Sequence, residues 1–179
     1  MTDNRQSLKQ ADLSIRNPKF HACENPTPQR TCSKNWADIN MAREAFDKAL
    51  LSICSRRPES GGLLLGRVGS NDVSDFYFDA GGNITGASYS PDYVTLNKKM
   101  KEEWIPSGLD MKGFVHSHPG RLDTLTYEDL MYIKRLLIAN PDMPMFIAPI
   151  IIPPEFRMRA MVVFKDNPGT AVEARINFF

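Results

Sequence analysis

From position 46 the apolar residues recur with helical spacing: Phe46, Ala49, Leu50 and Ile53 fall at i, i+3, i+4 and i+7, one stripe on one face. Asp38 or Asn40 is placed to cap the start of this helix, and Arg56, Arg57 and Pro58 close it with favourable charge and a breaker. The pattern then turns to strands. The run 62–68 is short and largely apolar, as in a strand buried on both faces. Segments 75–79 and 84–89 flank Gly81 and Gly82, which reads as a hairpin turn. A second helix is expected over 95–105, stopped by Pro106 and Gly108, and a strand over 111–116. The strongest helical pattern covers 126–139, with Leu130, Ile133 and Leu137 inward, joined by Met131 and Ile138. Runs 145–152 and 157–164 are read as strands, and 171–179 as a last strand or packed tail. The whole predicts a mixed α/β domain, a central sheet with about three helices.

Residues 1–37 do not share this pattern. The first ten are almost wholly polar, and Asn25, Pro26, Thr27 and Pro28 break any regular element. We expect a polar, partly mobile N-terminal extension there and the domain proper over 38–179. Composition fits one globular domain: 179 residues, 42% hydrophobic and 24% charged. The net charge of +1 gives no electrostatic case for nucleic acid or an acidic membrane as the main partner. The longest apolar stretch, 145–152, contains Pro149 and is too short to span a bilayer. Without an apolar run near the N-terminus, and with three cysteines (Cys23, Cys32, Cys54) that cannot all pair, a cytoplasmic location is expected.

The chemistry concentrates between residues 113 and 129. His116 and His118 stand two apart at the end of a predicted strand, so alternation puts both imidazoles on one face. Asp129 follows eleven residues after His118, in the first turn of the next helix, where its carboxylate can point back at the strand end. Two imidazoles and a carboxylate make three protein ligands and leave a fourth position for water, the pattern of a catalytic rather than a structural zinc site. Nitrogen and oxygen donors with an open position also suit iron or manganese, zinc being favoured. Each piece has a plainer reading. A lone His-x-His pair is commonly satisfied at a surface, and Thr126 followed three residues later by Asp129 matches a capping box, whose acid then serves the helix alone. A weaker second cluster, His21, Cys23 and Cys32 with Cys54, matches no standard zinc-finger spacing.

Glu59 followed by Gly62 and Gly66 around an apolar strand, then His116-Ser-His118, seven residues, and Thr126-x-x-Asp129, resembles the JAMM metalloprotease family, also called JAB or MPN-plus. The resemblance runs from about residue 40 to 165, in the family's order. It implies a JAB/MPN, cytidine-deaminase-like α/β fold with a mixed central sheet flanked by about three helices. It further implies one Zn2+ per chain on His116, His118 and Asp129, with Glu59 as general base beside the zinc-bound water. Thr126 stands where the family usually has serine, whose hydroxyl assists the oxyanion. Such roles are chemically coherent: zinc lowers the pKa of its water to about 7, and a positioned base contributes roughly 10²–10⁴ in rate.

Family members cleave after the C-terminal glycine of ubiquitin or a ubiquitin-like protein. The resemblance therefore implies a zinc-dependent isopeptidase or peptidase acting on a ubiquitin-like protein or its conjugate, with conjugation-pathway enzymes as further partners. A glycine tail has no side chains to read, so selection falls to a groove that accepts an extended chain, by strand addition at a sheet edge. Between Asn140 and Met145 there is no room for the extra zinc-bearing insertion of eukaryotic linkage-specific members. The compact layout is similar to short bacterial and archaeal members, some of which work in antiphage defence. Three alternatives share much of the pattern: a sulfur-carrier-processing peptidase, a non-catalytic MPN-type scaffold, and a binding module that engages a partner through residues 1–37. Trp104 and Tyr93 are expected near the cleft, with packing as their main role.

Overall fold

The computed structural model of the protein describes residues 36–57, 59–84 and 89–179. The expected extension, save Trp36 and Ala37, and the candidate ligands His21, Cys23 and Cys32 lie outside the described residues. Ala37, Ile39 and Met41 alternate with Asp38 and Asn40, and this period of two forms an edge strand, β1 (Ala37–Met41). It pairs in parallel with the last strand, β11 (Ala171–Phe178), from Ala37 opposite Ala174 to Met41 opposite Phe178. Asp38 and Asn40 therefore do not cap the first helix. Both are exposed on β1, where Asp38 accepts from Arg175 at 3.0 Å and Asn40 donates to Asp72 at 2.8 Å. Helix α1 (Arg43–Cys54) begins after Ala42, which supplies no side-chain cap, and buries Ala45, Ala49, Leu50 and Ile53, with Phe46 packed beside them.

The apolar run of Gly61–Gly66 is buried throughout and forms the interior of β2 (Gly61–Arg67). It lies between β3 (Asp75–Phe78) and the long β6 (Leu109–Ser117), antiparallel to both. With β7 (Met145–Ile147) and β10 (Met161–Phe164), the sheet runs β1-β11-β10-β7-β6-β2-β3. The pairs β1–β11 and β6–β7 are parallel and the others antiparallel, so the sheet is mixed. The run 145–152, expected as one strand, is two: β7 and β8 (Ile150–Ile152) both flank β6, separated by Ala148 and Pro149. Proline has no N–H for the ladder, and here its carbonyl instead accepts from the His116 N–H at 3.3 Å. The run 157–164 likewise breaks at Ala160. Its first part, β9 (Arg157–Arg159), stays with β8, while β10 pairs with β7 and β11.

Helices cover both faces. Along β6, Val115 turns toward the α1 side, in one core with Ile53, Leu64 and Ile151. Phe114 turns the other way, packing with Ile133 and Leu137 of α3 (Tyr127–Ala139). Of the inward positions expected on α3, Leu130 and Met131 are half-buried and Ile138 is 68% exposed, because its face looks away from the sheet. The helix expected over 95–105 starts earlier, as α2 (Tyr93–Lys99), capped by Asp92, which accepts from the Thr95 N–H at 3.1 Å. A π turn and a 3-10 turn then swing Trp104 into contact with Leu63, Leu65 and Leu96 before Gly108 ends the segment. Most of the second arm of the hairpin expected across Gly81 and Gly82, residues 85–88, lies outside the described residues. β3 pairs with β2, and β4 (Asn83–Ile84) pairs with β5 (Tyr89–Ser90) in a separate two-stranded ribbon. The buried Asp79 carboxylate, just after β3, accepts from the Tyr89 hydroxyl and from the Asp92 N–H. Among the described residues no helix is long and apolar enough to cross a membrane.

Candidate metal centre

The end of strand β6 and the first turn of α3 meet at His116, His118 and Asp129. His116 and His118 alternate onto the α3 side of the sheet, and both are almost wholly buried. Their Nε2 atoms lie 2.8 Å apart. His116 Nε2 is 3.5 Å from Asp129 Oδ1, and His118 Nε2 is 3.3 Å from Asp129 Oδ2. Donors bound tetrahedrally at about 2.0–2.1 Å stand roughly 3.3 Å from one another, so these separations suit one small cation. Two nitrogens facing each other at 2.8 Å cannot both present a lone pair there unless a proton or a cation lies between them. The donor set of two imidazoles and one carboxylate fits zinc, and also iron or manganese. The three residues form a group whose ligand atoms all lie within 4.8 Å of one another.

Asp129 serves two structures at once. Thr126 caps α3: its hydroxyl accepts from the Asp129 N–H at 3.2 Å, while Asp129 Oδ2 accepts from the Thr126 N–H at 2.8 Å. The Thr126 hydroxyl also donates to Asp129 Oδ2 at 2.7 Å. The capping box and a place in the His-His-Asp group, alternatives on sequence, thus fall to one carboxylate. Burial pushes the Asp129 carboxyl up, but hydrogen bonds from His116 and His118, the His116 charge and the Thr126 N–H together outweigh it. The group is held well below the usual carboxylate range. Between the histidines and Thr126 the chain is tied to β9 and β11 by Arg159, whose guanidinium meets Asp123 at 2.9 Å and Glu173 at 3.0 Å.

Glu59 approaches from β2. Gly61 lies opposite His116 where the β2–β6 pairing begins, and Glu59 stands two residues before it. Ser117 fixes that approach: its N–H donates to the Ser60 carbonyl at 2.9 Å, and its hydroxyl accepts from the Ser60 N–H at 3.2 Å. Glu59 is buried, yet its carboxylate makes no hydrogen bond or ion pair among the described residues. A cavity of about 370 Å³ brings Glu59 together with His116, His118, Thr126 and Asp129. All five residues singled out by sequence therefore line one cleft. Tyr93 also lines it, whereas Trp104 is packed into the cluster under α2. Tyr89, Phe114 and Tyr132 complete the wall. The sequence offered no signal for Tyr89, which belongs to a two-residue strand in a polar stretch. Phe114 and Tyr132 were legible only as apolar members of a strand and a helix. Cys54, the described member of the second candidate cluster, sits at the end of α1 against the core, where burial pushes its thiol up.

Fold and site together define a mixed α/β domain with a His-His-Asp cluster able to hold one metal ion at the end of its central strand. Solved structures are similar to this chain in fold. Protein DSY2949 of Desulfitobacterium hafniense matches 79% of this chain and 92% of its own, with a TM-score of 0.56 at 24% identity. A protein of Salinibacter ruber matches the same shares at 0.53 and 19%. AF2198 of Archaeoglobus fulgidus, a JAB1/MPN domain protein, matches 78% of this chain and 98% of its own at 0.46 and 18%. No family model matches the sequence, and no curated protein matches it.

Proposed function

We propose that this protein is a JAMM-type metal-dependent peptidase or isopeptidase that cleaves after the C-terminal glycine of a ubiquitin-like protein. The observation that carries the reading is the convergence of His116, His118 and Asp129 on one point with Glu59 in the same cleft. His116 Nε2, His118 Nε2 and the Asp129 carboxylate would hold the ion, Zn2+ first among candidates. When bound, that ion supplies a Lewis acid for a carbonyl oxygen and lowers the pKa of water to about 7.

The remaining chemistry belongs to the chain. Glu59 is the general base: its carboxylate takes a proton from the attacking water and returns it to the amine nitrogen as the C–N bond breaks. Its place in the cleft beside His116, His118 and Asp129 favours a chemical role. Asp129 is held ionised chiefly by His116 and His118 and kept in one rotamer by the Thr126 cap, so it acts as a fixed negative ligand. The Thr126 hydroxyl directs its proton at Asp129 in this structure, and the oxyanion contact expected of it requires that hydroxyl to turn. The cleft walls of Tyr89, Phe114 and Tyr132 are apolar faces suited to an extended, side-chain-poor tail.

The test combines metal content with hydrolysis. Mass spectrometry of the purified protein should find one zinc per chain, lost in the His116→Ala/His118→Ala variant. An amide fluorophore after a Gly-Gly terminus should be released by the wild type and not after chelation. Glu59→Gln should keep its zinc and lose roughly 10²–10⁴ in rate. Full activity in Glu59→Gln, or a wild type that takes up no metal, would sink the reading.

A further inference from the structure

Metal-binding histidines are usually oriented by a hydrogen bond from the ring nitrogen that faces away from the ion. His116 Nδ1 is buried and makes no such bond among the described residues. Two aromatic rings flank the imidazole instead. Phe114 stands at 59° to the imidazole with centroids 6.0 Å apart, and Tyr89 lies nearly parallel to it, at 21° and 6.4 Å. Both are within the range of attractive ring contacts.

The Tyr89 ring is itself fixed on several sides. Its hydroxyl donates to Asp79 Oδ2 at 2.8 Å, and that buried carboxylate oxygen also accepts from the Asp92 N–H at 2.9 Å. Gly61 and Gly82 bound the ring. A Cβ at Gly61 would stand 2.6 Å from Tyr89 Cε1, and one at Gly82 would stand 2.6 Å from Cε2. The ring fills the space that two missing side chains leave. Burial, then the hydrogen bond to Asp79, push the phenol up, so the hydroxyl stays a donor throughout the neutral range.

We propose that Tyr89 is the positioning residue for His116, holding the imidazole by ring contact where a hydrogen bond would ordinarily do so, and that Asp79 anchors Tyr89 for this purpose. The inference rests on the metal-centre reading above. Its consequence is that metal affinity depends on an aromatic ring contributed by the small β4–β5 ribbon, which supplies none of the proposed ligands.

The experiment is a Zn2+ titration of the full chain against a chromophoric chelator, with the visible absorption of the Co2+ form reporting ligand geometry. Tyr89→Leu should bind Zn2+ about 10–100-fold more weakly and alter the Co2+ bands. Tyr89→Phe, which keeps the ring and loses only its anchor, should fall between that variant and the wild type. A merely structural role would lower the melting temperature of the metal-free protein and leave the affinity and Co2+ spectrum of the folded chain unchanged. Gly82→Ala displaces the same ring from outside the cleft and should weaken Zn2+ in the same direction, which keeps the test open if Tyr89→Leu does not fold. Equal Zn2+ affinity and identical Co2+ spectra in the wild type and in either displacing variant would overturn the role of Tyr89 alone. A wild type that takes up neither ion overturns the metal centre, and this proposal with it.

Discussion

Helices α1 and α3 cover opposite faces of one sheet, and their first turns are built differently. α1 begins at Ala42 with no side-chain cap and is held by a stripe of buried residues, Ala45, Ala49, Leu50 and Ile53. α3 fully buries only Ile133 and Leu137, but its start is closed by a reciprocal capping box between Thr126 and Asp129. Packing fixes a helix against a sheet without demanding that any one polar atom sit at a given point. A capping box fixes the first turn to within a hydrogen bond, which is what a metal ligand on that turn requires. The difference separates a helix that supplies stability from one that supplies position.

Removing the shared carboxylate should have the largest effect on function. Asp129→Ala deletes a proposed ligand and half of the cap together, so the zinc expected at one per chain should fall to none and hydrolysis should vanish. Next comes the α1 side. Ile53 is fully buried, and Ile53→Ala should destabilise the protein by about 2–5 kcal/mol in urea unfolding. The folded variant should still bind one zinc, and loss of metal from folded Ile53→Ala would show that the two faces are not separable. Thr126 is the converse. Thr126→Ala should cost only about 1 kcal/mol as a lost cap, while weakening Zn2+ by roughly 10–100-fold through the freed Asp129. Thr126→Ser should restore both, and a Thr126→Ala protein with unchanged affinity would mean that Asp129 needs no cap to hold its place.

Much of this arrangement was legible in residue pattern because the physics is local. The two histidines alternate along one strand, Asp129 lies within one turn of its cap, and the apolar stripes of α1 and α3 follow helical spacing. What the pattern hid depends on partners distant in the chain. Asp38 and Asn40 look like helix caps until β11, more than a hundred residues later, pairs with their strand. The Asp79 carboxylate likewise accepts from Tyr89 and Asp92, ten and thirteen residues further on. Tyr89 is unreadable for the same reason: its neighbours Gly61, Asp79 and His116 meet only in the folded chain. The breaks at Pro149 and Ala160 divide what were expected as continuous strands. The proline was visible in the sequence, but its consequence follows from β6 needing partners on both sides of the break.

The smallest effect should come from the surface of α1, and it sharpens the contrast with the site. Lys48 reaches Asp75 on β3 at 2.8 Å, but both side chains are about half exposed, at 53% and 48%. Water and salt screen such a pair, so Lys48→Ala should cost no more than about 0.2–1 kcal/mol, less at high salt, with Zn2+ affinity unchanged. Asp123 offers the matched case near α3. It meets Arg159 at 2.9 Å with side chains 33% and 25% exposed, in the segment that joins His118 to Thr126. Arg159 is also held by Glu173, so the pair belongs to a network, and Asp123→Ala should weaken Zn2+ measurably by loosening the approach of Asp129 to the histidines. Titrating both variants against one chelator makes the comparison direct. Equal affinities would mean that the segment between the ligands needs no anchoring and that the α3 cap alone sets the position of Asp129.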